Sequence, residues 1–174
     1  RVEEPGQAAP PPNPCLRFPG LRTKPGRILM QVSSAMARGK TLAALDALCH
    51  AVHSLLRYQP GATGIYTTAE EALVAGRGVC QDYAHVFIAL ARLAGWHARY
   101  CMGLTVGEGA THAWAEIYYE GAWHGFDPTR DCRTDASYLR FATGRDAADC
   151  PVEQGTFYGL ADQTQTVFMR VKEI

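Results

Sequence analysis

The sequence predicts an α+β protein in which helices come first and an antiparallel sheet follows. Between residues 41 and 95, apolar side chains recur at spacings of three and four, which is typical of amphipathic helices. After Gly95 the spacing shifts towards two, which is typical of strands with one buried face. Because helices and strands occupy separate parts of the chain, we expect the helices to pack on an antiparallel sheet.

Three helices are predicted in the first part. The first follows Thr41, a good capping residue. Its apolar face consists of Leu42, Leu45, Cys49, Val52 and Leu56. A short second helix follows Thr68, and Glu71 three residues later completes a capping box. The third runs from about Cys80 to Ala94 and stops at Gly95. Its predicted buried stripe is Val86, Leu90 and Leu93.

Three strands are predicted next, over residues 97–106, 112–120 and 122–128. Turns are expected at Gly107-Glu108-Gly109 and at Gly121, where glycines interrupt the alternation. Two more strand-like runs, "TFYGLA" and "TVFMRVKEI", lie near the C-terminus.

The predicted organisation is a Pro-rich linker or N-terminal extension over residues 1–40 and one folded domain over residues 41–174. The stretch "PGQAAPPPNP" cannot sustain a helix or a strand ladder and is typical of an extended linker. Because the chain begins at Arg1 with no signal-peptide pattern, we expect either a processed product or a piece of a longer chain, and the Pro-rich opening favours the second.

The amino-acid composition does not indicate a strongly charged binding partner. Lys plus Arg and Asp plus Glu both total 17, so the net charge is zero. This balance argues against nucleic-acid binding and against a basic membrane-binding face. No stretch approaches the roughly 20 consecutive apolar residues that cross a bilayer.

The six cysteines are Cys15, Cys49, Cys80, Cys101, Cys132 and Cys150. Their even number leaves a disulfide framework open. However, the spacings are wide and irregular, and a domain of this size does not need disulfide bonds for stability. No C-x-x-C pair is present, so the structural zinc pattern is absent. We therefore expect reduced thiols, a cytoplasmic location, and no metal or other cofactor.

Cys80 occupies the position best suited to a reactive thiol. The N-terminus of a helix favours the thiolate, because unpaired N–H groups and the helix dipole stabilise negative charge there. The N–H of Cys80 could also receive an oxyanion forming on an attacked carbonyl. Gly76 and Gly78 allow a tight backbone and leave room for a substrate.

His112 and Asp127 could complete a Cys–His–Asp relay. A thiolate nucleophile needs an imidazole, and the imidazole needs an acceptor that fixes its tautomer. His112 lies nine residues before Gly121 and Asp127 six residues after it. If both strands form one hairpin, the side chains can meet with a diagonal offset or a bulge.

Each residue also has a simpler interpretation. A cysteine is often a core filler, a histidine at a strand end is often only hydrogen-bonded, and an aspartate before proline often forms a turn. A metal cluster of Asp46, His50 and His53 on the first helix is an alternative, although a solvated helix face fits this spacing better. His85 is expected to be packed or partly exposed, and the alternation leaves the directions of His97 and His124 open.

Three separated motifs resemble the bacterial transglutaminase-like superfamily. They are "GRGVCQDYAHVFIALARLAGWHARY", "THAWAEIYYEGAWHGFDPTRD" and "GRDAADCPVEQGTFYG", and the resemblance covers about Leu42 to Ile174. It implies a papain-like catalytic domain with Cys80 as nucleophile, His112 as general acid and base, and Asp127 as the orienting partner. The chain departs from the family pattern at Trp96-His97 and in a short segment from Gly103 to Thr111, which bears on substrate preference.

The activity implied by the resemblance is that of a thiol-dependent acyl-group hydrolase or transferase acting on peptide or amide bonds. Its expected partner is a protein or peptide substrate, and an N-terminal β-rich domain is expected to lie outside this chain. Two alternatives stay open: a protein-glutamine transglutaminase that forms isopeptide cross-links, and a non-catalytic binding domain. The clustered carboxylates of a calcium site are not seen. The oligomeric state does not follow from the sequence.

Overall fold

The computed structural model describes residues 11–36, 39–108, 111–151, 158–159 and 170–171. Helices pack against one face of an antiparallel sheet, which confirms the predicted α+β class. The helices are α1 (Arg27–Ala35), α2 (Leu42–Leu55), α3 (Ala69–Ala75) and α4 (Cys80–Leu93), with 3-10 turns at Pro14–Arg17 and Ala147–Asp149. None of the helices in these ranges is long and apolar enough to cross a membrane.

The strands form one main sheet and two small pairs. They are β1 (Arg57–Tyr58), β2 (Arg77–Gly78), β3 (His97–Thr105), β4 (Gly107–Glu108), β5 (His112–Tyr119), β6 (Ala122–Asp127), β7 (Cys132–Arg133), β8 (Tyr138–Gly144) and β9 (Arg170–Val171). The main sheet has the order β7-β6-β5-β3-β8 and is antiparallel throughout. Strands β1 and β2 pair in parallel, and β4 pairs with β9.

Helix α4 is the centre of the core. Every residue from Asp82 to Arg92 is buried, because α4 packs across β3 and β5 while α1, α2 and α3 cover its other sides. Val86 and Leu90 are buried as predicted, whereas Leu93 at the end of the helix is 38% exposed. The first residue of this buried helix is Cys80, so its position is set by the whole core.

The predicted helix starts are confirmed. The Thr41 hydroxyl accepts from the N–H of Ala44 at the start of α2. At α3, the Thr68 hydroxyl accepts from the N–H of Glu71, and the Glu71 carboxylate accepts from the N–H of Thr68. These caps satisfy N–H groups that a helix leaves without an internal partner.

The predicted extension contains a helix that the sequence analysis did not place. Helix α1 lies at residues 27–35, and its Leu29 is fully buried in the core. The carboxylate of Glu70, in the first turn of α3, caps α1 by accepting from the N–H groups of Ile28 and Leu29. The part of the extension from Pro14 to Ala35 therefore packs against the rest of the domain.

The predicted strands match β3, β5 and β6, and the predicted turn at Gly121 is present with a φ of 85°. The turn predicted at residues 107–109 is wrong in its first two residues, which form β4. Strand β8 was not predicted. Of the C-terminal runs, "TVFMRVKEI" contains β9, and most of "TFYGLA" lies outside the described residues.

Candidate active site

Cys80 is the first residue of α4, and Asp82 fixes the backbone that leads into it. Oδ2 of Asp82 accepts from the N–H of Val79 at 2.8 Å and from the hydroxyl of Thr63 at 2.6 Å. A Cβ added at Gly78 would lie 2.5 Å from the same Oδ2. Glycine is therefore required at 78 for lack of space, and Asp82 is a structural residue of the helix start.

The Cys80 side chain is partly exposed, unlike most other thiols in the chain. Cys49, Cys101 and Cys150 are buried, and Cys15 and Cys132 are exposed; all six cysteines are free. Burial raises the pKa of Cys49 to about 12 and that of Cys150 to about 11, and it holds the pKa of Cys101 well above its usual range. These three thiols stay protonated at neutral pH and are poor nucleophiles.

His112 and Asp127 meet across the β5–β6 hairpin. The register pairs Ala115 with Phe126, so one further step sets Asp127 opposite Trp114, two residues from His112. Residues two apart on a strand share a face, so the His112 and Asp127 side chains point the same way. His112 Nε2 lies 2.7 Å from Asp127 Oδ2, through the diagonal offset that the sequence predicted.

The Asp127 carboxylate is fully buried and held by four donors. Its Oδ2 accepts from His112 Nε2 and from the Tyr138 hydroxyl at 2.8 Å. Its Oδ1 accepts from the N–H groups of Thr129 at 2.9 Å and Arg130 at 3.3 Å. Burial alone raises the pKa of Asp127, but these bonds and the charge of His112 outweigh it, so the pKa lies below its usual range.

His112 joins the carboxylate to the thiol. Its side chain is only 12% exposed, and burial on its own lowers the pKa of the imidazole. The hydrogen bond to Asp127 and the nearby Cys80 side chain, together with the charges of both, outweigh burial and raise the pKa of His112 to about 9. Because Nε2 of the ring is hydrogen-bonded to Asp127, Nδ1 is the ring nitrogen available to the Cys80 thiol. The structure thus brings together the three residues that the sequence singled out.

Comparison with known proteins identifies the family of this chain. The sequence profile of the transglutaminase-like superfamily matches residues 31–128, more than half of the 174-residue chain. The chain belongs to the transglutaminase-like superfamily. The matched range contains Cys80, His112 and Asp127.

Relatives of this transglutaminase-like chain occur in mycobacteria. An uncharacterized protein of Mycobacterium leprae is 36% identical over 116 residues, which cover 61% of this chain and 41% of that protein. An uncharacterized protein of Mycobacterium tuberculosis is 35% identical over 127 residues, which cover 64% of this chain and 40% of that protein. The chain therefore spans about two fifths of the length of these curated relatives.

Solved structures support the same fold. A candidate cysteine protease from Cytophaga hutchinsonii superposes with a TM-score of 0.68 and 28% identity, covering 79% of this chain and 48% of that one. Calcium-bound LapG from Legionella pneumophila superposes with a TM-score of 0.53 and 14% identity, covering 67% of this chain and 72% of that one. The second likeness, at this low identity, shows the fold alone.

Two aromatic residues of the transglutaminase-like site were not singled out from the sequence. The ring of Trp114 stacks on His112 with centroids 6.3 Å apart. Tyr138, the first residue of β8, contacts both rings and donates to Asp127. The "TDAS" turn before the run "YLRFAT" is the signal that could have predicted β8.

The alternative metal cluster on α2 is not assembled. His50 Nδ1 bonds to Asp131, and His53 Nδ1 bonds to the carbonyl of Pro128. Asp46 forms an ion pair with Arg133. Across the ranges that the structure describes, no group of three or more His, Cys, Asp or Glu side chains is arranged to hold a metal ion.

His85 is a packed residue of the core, one of the two outcomes considered for it. It is fully buried in α4, where its Nε2 accepts from the N–H of Ala147 at 3.1 Å. Burial, with smaller effects from Arg22 and Arg92, lowers the pKa of His85 to about 3, so the ring stays neutral. It anchors the 3-10 turn that follows β8 and has no link to Cys80 in these contacts.

Proposed function

We propose that this chain carries the catalytic domain of a thiol-dependent acyl-group hydrolase or transferase that acts on peptide or amide bonds. The observation that supports this best is the imidazole of His112, which is hydrogen-bonded to buried Asp127 and lies near enough to Cys80, at a helix N-terminus, for the thiol to influence its pKa. In this proposal Cys80 is the nucleophile, His112 the general acid and base, and Asp127 the residue that orients the ring.

The raised pKa of His112 makes its imidazole a good proton acceptor, so in this proposal the ring takes the thiol proton of Cys80 as the sulfur attacks. The Cys80 sulfur attacks the carbonyl carbon and forms a C–S bond, and the carbonyl oxygen becomes an oxyanion. The N–H of Cys80 at the start of α4 is the donor best placed to receive that oxyanion. His112 then gives its proton to the departing amine as the C–N bond breaks, which leaves a thioester on Cys80.

The acyl acceptor decides between the two reactions of this chemistry. If water attacks the thioester, His112 takes a proton from that water, a C–O bond forms and the C–S bond breaks, so that a carboxylic acid is released and the sulfur of Cys80 is free again. If a lysine amine attacks, His112 takes a proton from the amine, a C–N bond forms as the C–S bond breaks, and the outcome is an isopeptide cross-link. We favour hydrolysis of a protein or peptide substrate, because the likeness at 28% identity is to a candidate cysteine protease.

A non-catalytic binding domain is the remaining alternative. It would be supported by a lost site residue or by a Cys80 side chain beyond the reach of His112. Cys80, His112 and Asp127 are all present, and Cys80 lies near enough to His112 to contribute to its raised pKa. These observations favour an active site.

Selective alkylation tests the nucleophile. Iodoacetamide at pH 6 is expected to label Cys80 at least about tenfold faster than any other cysteine, since only Cys80 has both a helix N-terminus and an imidazole partner. Peptide mass spectrometry after short exposures measures each rate. Cys15→Ala, which removes an exposed thiol elsewhere, is expected to leave the Cys80 rate unchanged. Equal labelling of all exposed thiols would reject the proposal.

A screen of peptides with and without added primary amines tests the reaction. Wild type, Cys80→Ala and Cys15→Ala are compared in the same assay, with peptide cleavage and amine incorporation read together. Cleavage by wild type and Cys15→Ala, but not by Cys80→Ala, supports the hydrolase. Amine incorporation in place of cleavage supports the cross-linking alternative, and activity that survives Cys80→Ala overturns both.

A further inference from the structure

Tyr138 shares an oxygen of Asp127 with His112. The Tyr138 hydroxyl lies 2.8 Å from Asp127 Oδ2, the atom that His112 Nε2 approaches at 2.7 Å. Oδ1 is already occupied by the N–H groups of Thr129 and Arg130. A carboxylate accepts about four hydrogen bonds, so this buried group is saturated. Tyr138 and His112 are therefore direct competitors for the electron density of one oxygen.

Tyr138 reaches Asp127 from the far edge of the sheet. It begins β8, while Asp127 ends β6, and β5 and β3 lie between these strands in the sheet order. Gly103 on β3 leaves this region open, because a Cβ there would lie 2.8 Å from the Trp114 ring and closer still to the carbonyl of Leu139. A side chain at Gly103 would disturb the surface that the Tyr138 ring packs on.

Aromatic packing holds the Tyr138 hydroxyl in place. Its ring meets Trp114 edge-on, with centroids 5.3 Å apart and planes at 77°, and its centroid lies 6.2 Å from that of His112. Arg130 Nη1 donates to the hydroxyl at 3.4 Å. Such contacts restrict the ring, so the hydroxyl position is fixed before any substrate binds.

The Tyr138 hydroxyl can only donate to Asp127. Burial, followed by the negative charge of Asp127, raises the pKa of Tyr138 far above its usual range. The phenol is thus neutral at physiological pH. Its single proton goes to Asp127, and the oxygen accepts from Arg130.

We propose that Tyr138 is a positioning residue that holds the Asp127 carboxylate and limits the proton affinity of His112 by sharing Asp127 Oδ2 with it. The proposal rests on the function proposed above for its kinetic consequence. A second donor on an acceptor oxygen withdraws negative charge from it, so the imidazolium is stabilised less than an unshared carboxylate would stabilise it. The same bond prevents the carboxylate from rotating away from His112.

Other ionisable groups face the His112–Asp127 pair, and two of them, Arg130 and Cys132, also contact the Tyr138 hydroxyl. Cys80 approaches from α4 and Cys49 from α2. Arg130 has its Nε 3.8 Å from Asp127 Oδ2, and Cys132 on β7 has its sulfur 3.6 Å from the Tyr138 oxygen. Asp131 lies close enough to Cys49 to raise the pKa of that thiol together with Asp127. A shift in Tyr138→Phe therefore includes the loss of these two contacts, and a second variant that keeps the hydroxyl is needed to separate them from the bond to Asp127.

The test is an NMR titration of histidine-labelled protein, with the His112 signal assigned by its loss in His112→Gln. In Tyr138→Phe the titration midpoint of His112 is expected to rise by about half a pH unit, because Oδ2 regains negative charge. With the peptide that wild type turns over fastest, kcat is expected to fall about tenfold at constant KM, as the loss of a hydrogen bond to a charged group implies. Tyr66→Phe, a change to an exposed tyrosine whose ring contacts Arg22, is expected to alter neither value.

A second variant reverses the expected sign. Site-specific 3,5-difluorotyrosine at position 138 is nearly isosteric and a stronger donor, so the His112 midpoint is expected to fall. An unchanged midpoint in both folded variants, or a fall in Tyr138→Phe, overturns the proposal. If Tyr138→Phe does not fold, the fluorinated protein decides alone. The titration needs no turnover, so absence of activity in wild type would reject the proposed function while the role of Tyr138 is still decided by NMR.

Discussion

His112 Nε2 lies 2.7 Å from Asp127 Oδ2, although the two residues are not direct partners in the hairpin that carries them. The offset of two residues leaves the position opposite Asp127 to Trp114, whose ring stacks on the imidazole. The strand pairing thus places an acceptor at one edge of the His112 ring and an aromatic surface on its face. This relationship gives the protonation of His112 a direct test.

Asp127→Asn should lower the pKa of His112 from about 9 towards its usual 6.5, because the carboxylate charge and its strong hydrogen bond are lost. Turnover should fall about 100-fold or more, since the ring loses the group that fixes its tautomer. In wild type, alkylation of Cys80 should lose its imidazolium assistance as the pH rises through about 9. In the variant, this loss of assistance should occur at a lower pH. Rates of reaction with iodoacetamide between pH 5 and 10 would show the difference.

Asp131→Asn is the matched control for this change. Asp131 also bonds to a histidine, at 2.6 Å from His50 Nδ1, but His50 is exposed and the pair lies outside the site. The alkylation profile should therefore match wild type. A profile altered equally by both substitutions would show that general charge, rather than the His112–Asp127 bond, sets Cys80 reactivity.

Stability should decline on the alkaline side because His112 binds a proton more tightly in the folded state. A group whose pKa is raised on folding adds stability that is complete below its unfolded value, near 6.5, and is lost as the pH rises through its folded value, about 9 here. The free energy of unfolding of wild type in urea should fall across this window. His112→Gln should show a flatter curve, so the difference between the two proteins should shrink from pH 6.5 to pH 9.5. A constant difference would contradict the raised pKa.

Asp82→Ala should destabilise the start of α4 and slow alkylation of Cys80. Two half-buried donors, the N–H of Val79 and the hydroxyl of Thr63, would lose their acceptor, which costs about 2 kcal/mol. Thr63→Val removes only one of these bonds and should cost about half as much. Urea unfolding and the alkylation rate at pH 6 measure both effects. If Asp82→Ala kept wild-type stability and reactivity, Asp82 would have no part in fixing the helix start.

Arg92→Met should lower the free energy of unfolding by about 3 kcal/mol, because it leaves buried acceptors without a donor. The guanidinium donates to the carbonyls of Leu16, Ala98 and Arg145 and to the Thr23 hydroxyl. It thereby ties the N-terminal segment to the sheet.

Arg133→Met provides the comparison for Arg92→Met. Arg133 makes a two-bond contact with Asp46, but both side chains are nearly half exposed. Its loss should cost less than about 1 kcal/mol. Similar losses in the two variants would mean that the buried bonds of Arg92 contribute no more than a surface ion pair.

Local signals account for what the sequence could predict. Helices α2, α3 and α4 have periodic faces with Thr41, Thr68 or a glycine at their ends, and the β5–β6 hairpin is marked by Gly121. The diagonal approach of His112 to Asp127 followed from counting residues outward from that turn.

What the sequence did not predict depends on distant partners. Helix α1 lies among prolines and glycines, and its N–H groups are capped by Glu70 from another helix. Strand β8 gains its place by pairing with β3, more than 30 residues earlier in the chain. Tyr138 reaches Asp127 because β8 pairs with β3 beside Gly103. No local sequence pattern encodes this pairing of distant strands.

The division of the site between a hairpin and a helix has a consequence for the order of folding. His112 and Asp127 are 15 residues apart, and the short hairpin between them closes at a small entropic cost. Cys80 joins them only when α4 docks on the paired strands β3 and β5. A chain that has formed its hairpin but not its core would thus hold the acid–base pair without the nucleophile. We expect rapid alkylation of Cys80 to develop during refolding together with the burial of α4. The alkylation rate of this thiol would therefore report when α4 docks on the sheet.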